Sequence, residues 1–119
     1  KDIIIRGGEN IPVAEIENLL FKWDKVDDVA IVAMPDHRLG ERACAYIVPN
    51  DDNIEFQEMI DYLMAHGIAK QKLPERLEII KELPRTTSGK VQKSILRNDI
   101  KKNLADDLNF SETRATKEG

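Results

Sequence analysis

A short loop near the end of the chain contains the residue types that bind anions. Thr86-Thr87-Ser88-Gly89-Lys90 brings hydroxyl groups, a glycine and an ammonium group together, and such groups bind phosphate or carboxylate oxygens. The loop is not a Walker A motif, because Pro84 stands where that motif has its first glycine and Val91 stands where it has Ser or Thr. On composition alone, a solvated turn is the favoured interpretation and a ligand site is the alternative.

Two adjacent glycines near the start of the chain have a similar ambiguity. Gly7-Gly8 separates the β-branched run 3–5 from the extended segment 9–11, which predicts a small hairpin. Glycines in such a turn usually supply positive φ angles and nothing more. The functional alternative is that a loop without Cβ atoms lets its backbone approach a thin ligand closely. Cys44, in contrast, falls in a predicted strand and is expected to be a core residue rather than a nucleophile.

The elements that position these residues follow from apolar periodicity. Helical spacing predicts three helices, over 13–23, 56–67 and 91–104. Short apolar or β-branched runs predict strands, over 3–5, 9–11, 29–34, 43–48 and 77–80. Asp27-Asp28 separates the first helix from the strand that follows, and the two buried strands are expected to pair antiparallel. Three helices and about five strands without strict βαβ alternation predict a small α+β domain.

Charge assists the assignment of two of these helices. Glu15 and Glu17 place negative charge near the positive N-terminal end of the first helix. Arg97, Lys101 and Lys102 form a basic cluster on the last helix, which we interpret as a solvated face.

Composition excludes several classes of protein. The chain has 119 residues, 41% hydrophobic and 34% charged, which suits one compact domain. Its net charge of −4 provides no global positive field for a nucleic acid or an anionic membrane. One cysteine and two histidines exclude a disulfide framework and a zinc cluster, so we expect no metal site and a reducing, cytoplasmic setting. The longest apolar run, Val29–Met34, is too short for an integral membrane segment, and no signal peptide pattern is found.

Two longer motifs contain the glycine pair and the lysine loop, in that order along the chain. The first is Lys1–Glu17, KDIIIRGGENIPVAEIE, and the second is Leu83–Lys93, LPRTTSGKVQK. Between them lies Val29–Asp36, VAIVAMPD, followed by Gly40-Glu41-Arg42. Together they resemble the C-terminal domain of adenylate-forming, or AMP-binding, enzymes, a superfamily of acyl-CoA synthetases, peptide adenylation domains and luciferases. Within it, the chain looks most like short or medium chain acyl-CoA synthetases and aryl acid ligases.

The resemblance implies a two-step reaction of a complete enzyme. A small-molecule carboxylic acid attacks the α-phosphate of ATP, which is bound with Mg mainly by a large N-terminal adenylation domain, and CoA then displaces AMP to form a thioester. Lys90 is the expected catalytic residue of the first step, because its ammonium would stabilise the charge that develops between the two anions. Thr87, Ser88 and Gly89 would shape the loop that carries it.

The resemblance also implies that the small domain rotates between the two steps. The hinge is expected at Lys1 and Asp2, so the sequence looks like a fragment that begins at the hinge and lacks the large domain. We expect a mobile C-terminal domain over 1–104, a frayed or disordered tail over 105–119, and no activity without the N-terminal adenylation domain.

In the rotated state, the resemblance places the glycine hairpin beside CoA. Gly7, Gly8 and Glu9 are expected to line the pantetheine tunnel, where glycine lets the CoA arm pass. Some relatives have an arginine at the position of Asn10, and this arginine contacts the CoA phosphates. Because this sequence has asparagine there, the resemblance does not predict that contact.

Three functions remain open from the sequence. The main one is an acyl-CoA synthetase that acts on a fatty acid or another carboxylic acid. The alternative is an adenylation enzyme of the aryl acid or aminoacyl type, which transfers its acyl group to a carrier protein. The third is an α+β domain without a catalytic role.

Overall fold

The chain forms a mixed sheet with helices on both of its faces. The computed structural model describes residues 3–38, 40–51 and 53–118. In these residues the strands are β1 (Ile4–Arg6), β2 (Glu9–Ile11), β3 (Val26–Asp36), β4 (Gly40–Pro49) and β5 (Arg76–Ile79). The helices of the same residues are α1 (Val13–Phe21), α2 (Phe56–Ala65) and α3 (Lys93–Glu118), and a short 3-10 helix spans Lys70–Lys72. The predicted α+β class, with a small sheet and three helices, is confirmed for this part of the chain.

The long hairpin of β3 and β4 is the centre of the sheet. The two strands pair antiparallel, as predicted, with Asp36 opposite Gly40 at the turn end. β5 pairs parallel with β4, because the chain crosses over through α2 before it returns to the sheet. β1 joins the start of β4 through Arg6 and Gly40, and β2 pairs antiparallel with β1. The glycine hairpin is therefore attached to the sheet at the turn end of β4.

Side chains of β3 and β4 alternate between two apolar clusters, one on each face of the sheet. The first cluster joins the strands to α1 and α2 and includes Val29, Ile31, Ala45, Ile47, Ile16, Leu20, Met59 and Leu63. The second joins them to α3 and includes Ala30, Val32, Cys44, Tyr46, Leu96 and Ile100. A strand that is buried on both faces needs apolar residues at successive positions, which explains the uninterrupted run in β3.

Several element boundaries differ from the predictions, among them the start of β3 and the end of α3. β3 begins at Val26 and includes Asp27 and Asp28, with a bulge in place of the predicted break. The predicted end of the last helix at Leu104 is wrong, because α3 continues to Glu118 and helical backbone occupies positions where a frayed or disordered tail was expected. Its sequence contains no Gly or Pro, so nothing in it stops a helix after the apolar spacing ends.

The packing of α3 against the sheet gives a first stability prediction. Leu96 is 1% exposed in the second cluster, whereas its neighbour Ile95 is 47% exposed. Leu96→Ala is expected to lower the free energy of unfolding by about 2–5 kcal/mol, because it leaves a cavity. Ile95→Ala, the matched control, is expected to change it by less than about 0.5 kcal/mol. Urea unfolding of the two variants measures both values, and equal losses would contradict this packing of α3.

Candidate functional site

The segment before α3 is an exposed loop with an ordered backbone. Arg85 and Val91 form a β-bridge across its base. Inside the bridge, the backbone N–H of Thr86 donates to the carbonyl oxygen of Lys90 at 2.9 Å, and that of Gly89 donates to the carbonyl oxygen of Thr86 at 2.9 Å. Gly89 has a φ of +93°, which favours glycine at this position. Backbone bonds therefore define the conformation of the loop up to Lys90.

Hydroxyl groups add to these bonds. Thr86 Oγ1 lies 2.9 Å from Ser88 Oγ and accepts a hydrogen bond from the backbone N–H of Lys90 at 3.1 Å. Thr87 is exposed at the tip of the turn. Local side-chain bonds of this kind stabilise turns, so Thr86 and Ser88 order the loop that ends in Lys90.

The Lys90 side chain is exposed and lines an open groove of about 630 Å³. The other residues that line this groove are Glu17, Val91, Gln92, Lys93, Ser94 and Arg97. Within the described part of the chain, no hydrogen bond or ion pair holds the Lys90 ammonium. Three cationic side chains and one carboxylate thus surround a groove that is open to an anion, and the ammonium of Lys90 is available to it.

Glu17 connects three elements beside this groove. Its Oε2 accepts hydrogen bonds from Lys93 Nζ and from the backbone N–H of Ile31, both at 2.7 Å. α1, β3 and the first turn of α3 are therefore joined at one carboxylate. The charge of Glu17 near the start of the helix was predicted, but its contacts with β3 and α3 were not. The missed signal is its position between Val13 and Leu20, which puts a carboxylate on the buried face of α1.

The two interactions of Glu17 give a second stability prediction. Glu17→Gln keeps an acceptor for the N–H of Ile31 and is expected to cost less than about 1 kcal/mol of unfolding free energy. Glu17→Ala leaves that N–H without its partner and is expected to cost about 1–3 kcal/mol. Urea unfolding compares the two variants, and equal costs would mean that the ion pair with Lys93, rather than the strand contact, carries the effect.

The glycine hairpin has the geometry of a tight two-residue turn. Arg6 and Glu9 pair across it, and Gly7 and Gly8 have φ angles of 55° and 88°. Positive φ at both positions is the requirement of a type I′ turn, which explains why glycine occurs twice. A Cβ atom on Gly8 would meet nothing within 4 Å, so the turn leaves open space beside its backbone.

The structure does not bring the hairpin and the lysine loop into one pocket. Among the described residues that line the Lys90 groove, none of Gly7, Gly8 and Glu9 occurs. The hairpin is instead attached at the start of β4, where Arg6 pairs with Gly40, and Arg6 Nη1 donates to the carbonyl oxygen of Leu73 at 3.5 Å. Lys1 and Asp2, the expected hinge, lie outside the described residues. The chain therefore has two separate candidate surfaces, one basic and one rich in glycine.

Cys44 has no role at either surface. It lies in the second apolar cluster with 0% exposure, as predicted, and burial raises the pKa of its thiol to about 12. Over residues 3–38, 40–51 and 53–118, no group of three or more His, Cys, Asp or Glu side chains could hold a metal ion. None of the helices described has the length and apolar character needed to cross a membrane.

The sequence matches a family model and several known enzymes. Residues 15–90 match the model of the AMP-binding enzyme C-terminal domain. The medium-chain fatty-acid–CoA ligase of Escherichia coli (strain K12) is 46% identical over 110 residues, which is 91% of this chain and 19% of that protein. The 2,3-dihydroxybenzoate-AMP ligase of Bacillus subtilis (strain 168) is 42% identical over 104 residues, which is 87% of this chain and 19% of that protein.

The fold is also similar to solved structures. The Mycobacterium tuberculosis fatty acyl CoA synthetase superposes with a TM-score of 0.75 at 35% identity, over 82% of this chain and 19% of that chain. The apo structure of Mycobacterium smegmatis MbtA gives a TM-score of 0.79 at 36% identity, with the same coverage of 82% and 19%. The chain thus spans about a fifth of the length of these relatives. Because the family model matches most of the sequence, this chain belongs to the family of AMP-binding enzyme C-terminal domains.

Proposed function

We propose that this chain is the mobile C-terminal domain of an acyl-CoA synthetase, a ligase that joins a carboxylic acid to CoA with ATP. The observation that carries the proposal is the exposed ammonium of Lys90, which has no partner among the described residues and which an ordered loop presents to an open groove. Enzymes of the adenylate-forming family use ATP and Mg. The described residues offer no carboxylate cluster for Mg, so we assign Mg and most of the ATP site to a large N-terminal domain.

In the proposed first step, Lys90 acts on two anions that must approach each other. A carboxylate oxygen of the acid forms a bond to the α-phosphorus of ATP, and the bond from that phosphorus to the pyrophosphate oxygen breaks. Negative charge is more concentrated between the reactants during this exchange than before it, so a positioned ammonium lowers the barrier. Arg97 adds positive potential along the same groove and favours binding of the phosphates, whereas Glu17 offsets the charge of Lys93.

In the proposed second step, the glycine hairpin acts instead of the lysine loop. The thiolate of CoA attacks the acyl carbonyl, and the bond between that carbonyl and AMP breaks. Gly7, Gly8 and Glu9 are proposed to line the path of the pantetheine arm after the domain rotates about Lys1 and Asp2. The separation of the hairpin from the Lys90 groove supports this division, because each surface can serve one step while the other faces away.

One specific observation favours an acceptor of the acyl group other than free CoA. The chain is 42% identical to a 2,3-dihydroxybenzoate-AMP ligase over 104 residues, close to its 46% identity to a CoA ligase over 110 residues. An aryl acid enzyme that transfers its acyl group to a carrier protein is therefore the second candidate. A pantetheine arm is common to CoA and to a carrier protein, so the glycine hairpin would serve either acceptor.

The test uses the full-length parent protein with a panel of short, medium-chain and aromatic acids. Pyrophosphate release measures adenylation, and thioester formation is measured with free CoA and, separately, with a phosphopantetheinylated carrier protein. Thioester formation with free CoA supports the synthetase and identifies its acid. Adenylation with transfer to the carrier protein alone supports the second candidate, and the absence of adenylation with every acid would contradict both.

A further inference from the structure

Arg85 holds the loop of Lys90 from the side. Its Nη1 donates to the carbonyl oxygen of Gly89 at 2.6 Å, and its Nη2 donates to Asp28 Oδ2 at 2.5 Å. The carbonyl of Gly89 belongs to the peptide bond that leads into Lys90. One guanidinium therefore joins the backbone next to the proposed catalytic lysine to a carboxylate that lies 57 residues earlier in the sequence.

Asp28 provides a fixed end for this contact. It lies in β3 opposite Val48 of β4, and its Oδ1 accepts a hydrogen bond from the backbone N–H of Val29 at 3.0 Å. The side chain of Asp28 is 25% exposed, and that of Arg85 is 41% exposed. The carboxylate is thus held by the strand, and the arginine connects the loop to the central hairpin of the sheet.

The other bonds of the loop do not replace this connection. The base of the loop is held by the Arg85–Val91 bridge and by Leu83 and Val91, which pack in the second cluster. Beyond that base, the bonds from Thr86 to Lys90 and from Gly89 to Thr86 close the loop on itself and include no residue of β3 or β4. The two contacts come from different nitrogens, Nη1 and Nη2, which a planar guanidinium holds at a fixed separation, whereas lysine has a single donor nitrogen on a flexible stem. The geometry of an arginine therefore fits this pair of contacts better than that of a lysine.

We propose that Asp28 and Arg85 form a clamp that positions Lys90 for adenylation. This inference rests on the proposed function of Lys90. Partly exposed ion pairs contribute little to global stability, so the main effect of the clamp is on the orientation of the loop. Orientation matters more for rate than for folding, because a shift of about 1 Å of a catalytic group can cost about 100-fold in rate.

The first measurement is amide hydrogen exchange of the loop in the full-length protein. Arg85→Ala and Asp28→Ala are expected to raise the exchange rate of the Gly89 and Lys90 amides by about 10-fold or more, while the core strands keep their protection. The matched control is Arg76→Ala, which removes a partly exposed arginine that pairs with Glu78 and Asp107 away from the loop. Unchanged amide exchange in the Arg85 and Asp28 variants would overturn the clamp, and this outcome does not depend on whether Lys90 is catalytic.

The second measurement is the adenylation rate. Arg85→Ala is expected to lower kcat by about 10- to 100-fold, with KM for ATP within about threefold and with unchanged conversion of supplied acyl-adenylate to thioester. Arg85→Lys is expected to restore little, because it keeps the charge and loses the second contact. Arg76→Ala should leave both half-reactions unchanged.

A double variant separates positioning from a general effect on the enzyme. If Arg85 acts through Lys90, Arg85→Ala has no further effect on adenylation in a Lys90→Ala background. Additive losses would overturn the positioning role. Full adenylation by Lys90→Ala alone would instead refute the proposed function, which distinguishes the two failures.

Discussion

Lys90→Ala in the full-length protein is expected to slow acyl-adenylate formation by about 100- to 1,000-fold, the effect of removing one preorganised electrostatic donor. The physical reason is that the ammonium stabilises charge that develops between the carboxylate and the α-phosphate, and a methyl group leaves that charge uncompensated. Pyrophosphate release under saturating ATP and acid measures the loss. Formation of thioester from supplied acyl-adenylate and CoA is expected to remain nearly unchanged, because a different surface is proposed for that step.

The matched control for this prediction is Lys101→Ala. Lys101 is an exposed lysine of α3 and does not line the groove, so its removal changes the net charge by the same amount. It is expected to leave both half-reactions unchanged. Equal losses of both half-reactions in Lys90→Ala would contradict the assignment of Lys90 to one step, and equal losses in the two variants would point to a general electrostatic effect.

Gly8→Met is expected to give the opposite pattern, a loss of about 100-fold in thioester formation with adenylation largely kept. Inside this domain a Cβ atom at Gly8 would meet nothing within 4 Å, so the new side chain has space in the domain itself. It would extend into the path proposed for the pantetheine arm and displace the attacking sulfur. Thioester formation from supplied acyl-adenylate, as a function of CoA concentration, measures the loss.

The backbone strain of this substitution has a matched control in Gly67. Gly67 has a φ of +93°, close to the +88° of Gly8, and a Cβ atom there also meets nothing within 4 Å. Each Met variant is therefore expected to lose about 1–2 kcal/mol of stability from the left-handed backbone. Only Gly8→Met should lose thioester formation, and equal losses in both variants would attribute the effect to stability and not to the CoA path.

Local patterns in the sequence were sufficient for most of the fold. Apolar residues at successive positions in Val29–Met34 predicted a strand buried on both faces, and Gly7-Gly8 between short extended runs predicted the two-residue hairpin. The end of α3 was missed because the prediction relied on apolar spacing, which stops at Leu104, while the helical backbone continues without it. A polar helix that lacks glycine and proline has no signal of that kind at its end.

The surroundings of Lys90 could be predicted only in part. Motif resemblance identified the lysine and its loop, since these residues are close together in the sequence. The contacts that join this loop and α3 to the rest of the fold come from distant residues, with Asp28 bonded to Arg85 and Glu17 bonded to Lys93. Such contacts depend on how the strands and helices pack, which no local spacing encodes. Asp28 in particular was interpreted as part of the segment that separates the first helix from the next strand, although it belongs to β3.

The position of Glu17 also affects the edge of the sheet. In the described part of the sheet, β3 is the outermost strand on one side and is 11 residues long. A long strand of this kind exposes backbone donors that can recruit a strand from another molecule and start aggregation. Glu17 occupies the N–H of Ile31 near the middle of this strand, and Pro35 has no N–H to offer. The carboxylate beside the proposed active groove therefore also leaves one fewer unpaired backbone donor at the edge of the sheet.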